Sequence, residues 1–177
     1  VYDGMTTKDK LSRMGYSESE SKKIFEEKQL NTYDRLDTIQ QNDDIIDLFL
    51  RLKEDGYDIG ICSNAIKRTV EKCLSRIGVT HLCSFFITAD DVGHAKPHPE
   101  IYWKAMSRCG VLPEETVIVE DSPPGLLAAH YSGANVIRVS SPEEVNVDLI
   151  EKIKGEPVKP KWKDDKLNVL IPMAGAG

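Results

Sequence analysis

The feature that most constrains the fold is a regular alternation between short apolar runs and amphipathic helices that are followed by glycine. A helix is predicted from Lys67 to Ile77 with Gly78 after it, and another over 99–109 with Gly110 after it. Glycine is favoured there because it adopts the left-handed conformation at little cost. Apolar strands that alternate with such helices predict an α/β fold with a doubly wound, Rossmann-like parallel sheet.

The positions of the individual elements follow from the same pattern. The first forty residues are predicted to be helical, and Ser17 with Glu20 forms a capping-box pattern. The last helix is predicted over 141–153, with Ser141 as its N-cap. Strands are predicted over 57–62, 83–88, 116–120 and 135–140, and further helices over 43–55 and 125–132.

Composition narrows the function classes. The net charge of −6 argues against binding to nucleic acid, and no apolar run approaches the roughly 20 residues that a membrane helix needs. The four cysteines form no CxxC pair, so we predict reduced thiols and a cytoplasmic location. His94 and His98 are four residues apart, but Pro97 and Pro99 interrupt the segment, so no zinc site is expected there.

Polar residues follow three of the predicted strands. Ligands bind at the carboxyl ends of strands in open parallel sheets, and these ends carry Ser63 and Asn64, Lys96, and the pair Glu120 and Asp121. Each cluster alone has an ordinary explanation, such as a helix cap or a solvated lysine. Together they would bring a hydroxyl, an ammonium and two carboxylates to one rim, which suits Mg²⁺ and a phosphate group.

These segments resemble a known family. ICSNA (61–65), GHAKPHPEIY (93–102) and VIVEDSPPGLLAAHYSGA (117–134) are similar to motifs II, III and IV of haloacid dehalogenase-like hydrolases. The similarity is greatest to the subgroup with a helical cap, which includes β-phosphoglucomutase-like phosphatases, and it extends from Thr6 to about Ile153.

The resemblance implies a role for each residue. Ser63 would hydrogen-bond the transferred phosphoryl group and Asn64 would assist, while Lys96 would neutralise charge on the nucleophile and the phosphate. Asp121 would bind Mg²⁺, directly or through water, with Glu120 assisting. Residues 1–41 would form a partial cap that excludes water from the substrate, and 42–153 would form the core.

One motif of the family is missing. Its nucleophile is the first Asp of a DxD motif on the first strand, and no DxD follows an apolar strand here. Without it there is no aspartyl-phosphate, so we expect this chain to be inactive and its core to lack the central strand between those ending at Cys62 and Glu120. Such a gap would leave unpaired strand edges and an unstable chain, unless the apolar run 168–173 fills it.

The end of the chain has its own resemblance. Residues 154–166 are rich in Pro and Lys and are predicted to be a linker. LNVLIPMAGAG (167–177) resembles the opening strand and Gly-rich loop of sugar-phosphate nucleotidylyltransferases, in which backbone amides hold nucleotide phosphates. We predict that residues 167–177 begin a truncated domain of that type.

The main functional prediction is a Mg²⁺-dependent phosphohydrolase. It would act on a small phosphorylated metabolite, such as a sugar phosphate, within a bifunctional protein fused to a sugar nucleotidyltransferase. Two alternatives stay open: a β-phosphoglucomutase-like isomerase, and a non-catalytic binding or scaffold module that kept the fold and lost the nucleophile.

Overall fold

A five-stranded parallel sheet forms the centre of the fold. The computed structural model describes residues 7–155 and 168–172, and the strands lie in the order β2-β1-β5-β3-β4. Every neighbouring pair is parallel, as the alternation of strands and helices predicted. The strands are β1 Asp58–Cys62, β2 Phe85–Ile87, β3 Thr116–Glu120, β4 Asn135–Arg138 and β5 Asn168–Pro172.

Helices connect and cover these strands. Gly78 and Gly110 follow their helices with positive φ angles, as their positions in the sequence predicted, and Gly133 does the same after the helix that ends at Ser132. Short 3₁₀ turns occur at Thr80–Leu82, Ala89–Asp91, Pro113–Glu115 and Pro142–Glu144. The α-helices are α1 Thr7–Arg13, α2 Glu18–Asp37, α3 Asp43–Glu54, α4 Lys67–Ile77, α5 Glu100–Cys109, α6 Pro123–Ser132 and α7 Leu149–Gly155.

Apolar side chains fill both faces of the sheet. Ile61 and Val119 belong to the core on one face, where α3, α4 and α7 pack. Ile118 and Leu170 belong to the core on the other face, with α5 and α6. Each buried side chain of this size stabilises the fold by about 1.5–3 kcal/mol. The layered arrangement therefore confirms the predicted Rossmann-like fold class.

The N-terminal helices pack beside the sheet domain. Ser17 and Glu20 form the predicted capping box at the start of α2. The far end of α2 contacts α4, because the Asp37 carboxylate pairs with Lys72 at 2.8 Å and with Arg76. Helix α2 is thereby attached to the helix that follows β1, while its role as part of a substrate cap stays a prediction.

The tail strand occupies the centre of the sheet. Strand β5 pairs with β1 from Asp58↔Asn168 to Cys62↔Pro172 and with β3 from Thr116↔Asn168 onward. Residues 168–172 thus fill the gap between β1 and β3, which is the alternative left open for the apolar run 168–173, so the described core has a central strand whose backbone groups pair with both neighbours. The predicted division into domains, including a nucleotidyltransferase-like start at residue 167, stays a prediction.

The predicted helix over 141–153 is wrong over its first half. A 3₁₀ turn at Pro142–Glu144 is followed by α7, which begins only at Leu149. The Asn146 side chain donates to the Glu143 carbonyl at 2.8 Å and accepts from the Asp148 amide at 2.9 Å. These local side-chain bonds replace helical hydrogen bonds and interrupt the helix.

The described part of the chain also bears on the predictions about membrane helices and cysteines. None of its helices is long and apolar enough to cross a membrane. Cys62 and Cys73 are buried thiols, and Cys83 is partly buried. Burial raises the pKa of the Cys62 thiol to about 12, so this sulfur stays protonated at neutral pH.

Candidate active site

Ser63 and Asn64 lie directly after β1, at the carboxyl edge of the sheet. The Ser63 hydroxyl accepts from the Ala65 amide at 3.1 Å. The Asn64 side chain donates to the Lys96 carbonyl at 3.1 Å and accepts from the Lys96 amide at 3.0 Å. Asn64 therefore fixes the backbone of the loop that carries Lys96.

The ammonium group of Lys96 is buried at the same edge. Its Nζ donates to Glu120 Oε2 at 2.7 Å and to the Cys62 carbonyl at 3.1 Å, and it lies 5.0 Å from the centroid of the Tyr102 ring. An ammonium has three N–H donors. These two oxygens are its hydrogen-bond acceptors among the residues the structure describes, so one N–H is available for a ligand oxygen.

Glu120 is the most heavily bonded residue of the site. Besides the lysine, Oε2 accepts from the Tyr102 hydroxyl at 2.5 Å. Oε1 accepts from the Asp121 amide at 3.1 Å and from the amide and hydroxyl of Ser122 at 3.1 and 3.0 Å. Burial acts to raise the pKa of this carboxyl, but Lys96 and the other donors lower it to about 2. Glu120 is therefore an ionised, fully paired carboxylate.

Asp121 is half-buried beside Glu120. Its pKa is raised, first by burial and then by the neighbouring Glu120 carboxylate. Partial burial and a neighbouring carboxylate both disfavour the charged form of Asp121, and a cation would offset both effects. Helix α6 begins just beyond, where the Ser122 hydroxyl accepts from the Gly125 amide at 3.2 Å.

The pattern of these contacts distinguishes the two predicted metal ligands. Five protein donors engage the two oxygens of Glu120, which leaves no lone pair for a cation. The Asp121 carboxylate fits a Mg²⁺ site better, since Mg²⁺ in proteins takes one or two carboxylates together with water and substrate phosphate. The donor set at this edge therefore fits a single-carboxylate magnesium site.

The contact of Tyr102 with the site was not predicted from the sequence. It lies on the buried face of α5 with 1% of its surface exposed, and its hydroxyl bonds Glu120. Burial and the Glu120 charge raise the pKa of Tyr102 well above its ordinary value, so it remains a donor. The available signal was a tyrosine on the apolar face of an amphipathic helix, where a buried hydroxyl needs a polar partner.

The central strand supplies no carboxylate to this edge. Pro172 of β5 lies opposite Cys62 in the sheet register, so β5 ends at the same edge as β1. The sequence from Asn168 to Gly177 contains neither Asp nor Glu. Among the described residues, the site therefore combines a cationic residue, a hydroxyl and an acidic pair, and its central strand carries no acid.

Comparisons with known proteins identify the family. A family model described as haloacid dehalogenase-like hydrolase matches residues 2–139. The chain is similar to a protein named pyrophosphatase PpaX from Bacillus mycoides (strain KBAB4), with 29% identity over 146 residues, 82% of this chain and 65% of that protein. A PpaX from Bacillus cereus (strain AH820) is 28% identical over 170 residues, 96% of this chain and 76% of that protein.

A solved structure supports the same fold. The beta-phosphoglucomutase from Clostridium difficile is similar with a TM-score of 0.72 and 22% identity, over 85% of this chain and 78% of that one. The chain thus spans 65% of the length of one PpaX relative and 76% of the other. Because the family model covers most of the sequence and its motifs meet at one sheet edge, the chain belongs to the haloacid dehalogenase-like hydrolases.

Proposed function

We propose that this chain carries the phosphate- and magnesium-binding part of a phosphohydrolase that acts on small phosphorylated metabolites. The observation that carries the proposal is the buried ion pair between Lys96 and Glu120, which lies beside Asp121 at the carboxyl edge of the sheet. A lysine held this way is fixed in position, and a fixed ammonium group can bind a phosphate oxygen without reorganising.

Each residue has a distinct task in this proposal. The free N–H of Lys96 binds a phosphate oxygen, and the Ser63 hydroxyl donates to a second one. Glu120 and Asn64 act as positioning residues, since the first holds the ammonium group and the second holds its backbone. Asp121 holds Mg²⁺, which when bound neutralises charge on the phosphate.

The covalent step needs a carboxylate that the described central strand does not provide. The aspartyl-phosphate route implied by the family requires a carboxylate at the end of the central strand, and the residues of β5, Asn168–Pro172, include no acid. We therefore propose that the 177 residues bind phosphate without turning it over. A polypeptide that presents an aspartate at that position would complete the site.

A second candidate follows from the same strand. Because β5 fills the central position without an acid, a non-catalytic module that binds a phosphorylated ligand is also supported. The substrate class is proposed from relatives whose names refer to a pyrophosphatase and to a phosphoglucomutase, so a sugar phosphate, pyrophosphate or a mutase substrate would fit. Fusion to a nucleotidyltransferase and a cytoplasmic location remain proposals from the sequence.

The test measures binding and turnover separately. Inorganic phosphate is titrated calorimetrically into the chain with and without Mg²⁺, and phosphate release is assayed with sugar phosphates and pyrophosphate. We expect Mg²⁺-dependent phosphate binding without release. Binding should weaken at least tenfold in Asp121→Asn and stay unchanged in Asp47→Asn, a matched change on the exposed face of α3.

Two results would contradict the proposal in different ways. Phosphate release by the wild-type chain that is lost in Asp121→Asn would show that a nucleophile is present after all. Phosphate binding that is independent of Mg²⁺ and equal in both variants would remove Asp121 from the site.

A further inference from the structure

The loop between β2 and α5 brings together two imidazoles and a carboxylate. His94 and His98 are exposed and Glu100 is partly buried. The two imidazole ring centroids lie 4.8 Å apart, although prolines keep the residues off a common helical face. No zinc site was expected here because the prolines prevent a shared helical face, but the loop brings the two imidazoles together without a helix.

The ligand atoms are close to the spacing that a metal requires. His94 Nδ1 lies 2.9 Å from Glu100 Oε2, and one ligand atom from each of the three residues lies within 4.8 Å of the others. Ligands on a tetrahedral Zn²⁺ with bonds of about 2.0–2.1 Å are about 3.4 Å apart. Small rotations of exposed side chains would close the difference, with no movement of the sheet.

Two backbone hydrogen bonds hold the Glu100 carboxylate in place. Glu100 Oε1 accepts from the Gly93 amide at 2.7 Å, and Oε2 accepts from the His94 amide at 2.9 Å. His98 Nδ1 accepts from the Glu100 amide at 3.2 Å, so it presents a lone pair toward the same loop. A metal would replace this long hydrogen bond with a coordinate bond.

We propose that His94, His98 and Glu100 form a surface site for a borderline divalent metal such as Zn²⁺. Two imidazoles and one carboxylate match Zn²⁺, Ni²⁺ or Co²⁺, whereas Mg²⁺ prefers oxygen ligands alone. Three protein ligands leave a fourth position for water or an external ligand. Both histidines line a cavity of about 500 Å³ together with Pro97, Pro99, Leu127 and Tyr131.

This site is independent of the proposed function. Its ligands differ from Asp121, and its chemistry is selective for nitrogen-binding metals. The site lies on the same loop as Lys96. The Asn64 side chain connects this loop to the end of β1 through hydrogen bonds to the backbone of Lys96. A bound metal would therefore cross-link the loop to the start of α5 without using any residue of the phosphate site.

The experiment titrates Zn²⁺ into the full 177-residue chain by calorimetry in excess Mg²⁺, so that oxygen-only sites are filled beforehand. We expect one Zn²⁺ per chain. Its affinity should fall at least tenfold in His94→Ala and in His98→Ala and stay unchanged in His130→Ala, a matched change of an exposed histidine on α6. Both ligand histidines are exposed, so the variants are expected to fold.

A second measurement separates imidazoles from thiols as ligands. The absorption spectrum of the Co²⁺-loaded chain should lack thiolate charge-transfer bands and should lose its d–d bands in both histidine variants. Strong thiolate bands, Zn²⁺ binding equal in wild type and both variants, or no Zn²⁺ binding by the wild type would each overturn the proposal.

Discussion

A Cβ atom placed on Gly125 would lie 2.1 Å from the carboxyl carbon of Glu120. The first turn of α6 therefore packs directly on the carboxylate that holds Lys96, and only a residue without a side chain fits there. The contact explains why a glycine follows the acidic pair at this distance in the sequence.

The first prediction concerns this glycine. Gly125→Ala should lower the free energy of unfolding by about 1–3 kcal/mol or more, because the methyl group must displace a buried, fully bonded carboxylate. Urea denaturation measures the change. Gly155→Ala is the control, since a Cβ there meets nothing within 4 Å, and it should be neutral or slightly stabilising. Equal effects of the two substitutions would contradict the packing described.

The second prediction concerns the hydroxyl of Tyr102. Tyr102→Phe removes one donor to Glu120 while keeping the ring that packs in the core. Leaving a buried carboxylate one hydrogen bond short should cost about 1–3 kcal/mol in the free energy of unfolding. Tyr131→Phe, at a side chain that is 61% exposed, should change it by less than about 0.5 kcal/mol. A Tyr102→Phe variant as stable as wild type would show that the bond does not contribute.

The third prediction is a pH dependence at the 3₁₀ turn Ala89–Asp91. Asp91 Oδ2 accepts from the amide and hydroxyl of Thr88, both at 2.8 Å. Burial acts to raise the pKa of Asp91, but these bonds outweigh it and lower the pKa below 3.8. The carboxylate therefore stabilises the fold above pH 3.8, and this contribution is lost as the pH falls through the lowered value.

The variant Asp91→Ala isolates this contribution. It should be about 1 kcal/mol less stable than wild type at pH 7, and the difference should shrink as the pH falls below 3.8. Urea titrations at several pH values measure it, with Asp148→Ala at an exposed position as control. A stability difference that stays constant between pH 7 and pH 3 would argue against a role for the Asp91 charge.

The sequence predicted the parts of the fold that are encoded locally. The bounds of β3 at Thr116–Glu120 and of α4 at Lys67–Ile77 were correct to the residue, because an apolar run or an amphipathic repeat ends abruptly at each. The break before α7 was missed because it depends on hydrogen bonds of one side chain, Asn146, which propensity does not reveal.

Long-range relationships were harder to predict. Ser63, Lys96 and the acidic pair were expected to meet because strand ends share one edge, and the contacts of Lys96 with Cys62 and Glu120 place them there. The separate tasks proposed for Glu120 and Asp121 rest on the burial and the hydrogen-bond donors of each carboxylate, which two adjacent acids in a sequence cannot show. The position of β5 depends on which strand edges are unpaired in the whole sheet, so the local sequence could not predict where this strand would pair.

The last prediction tests that position of β5. Leu170 is 2% exposed in the core with Ile118, and Leu170→Ala should remove a buried side chain at the centre of the sheet. The expected loss is about 2–5 kcal/mol in the free energy of unfolding, measured by urea denaturation. Leu127→Ala, at a side chain that is 43% exposed, is the matched control and should cost much less. If both substitutions cost the same small amount, residues 168–172 do not pair with β1 and β3 in solution, and the sheet has an open centre that a strand carrying an aspartate could fill.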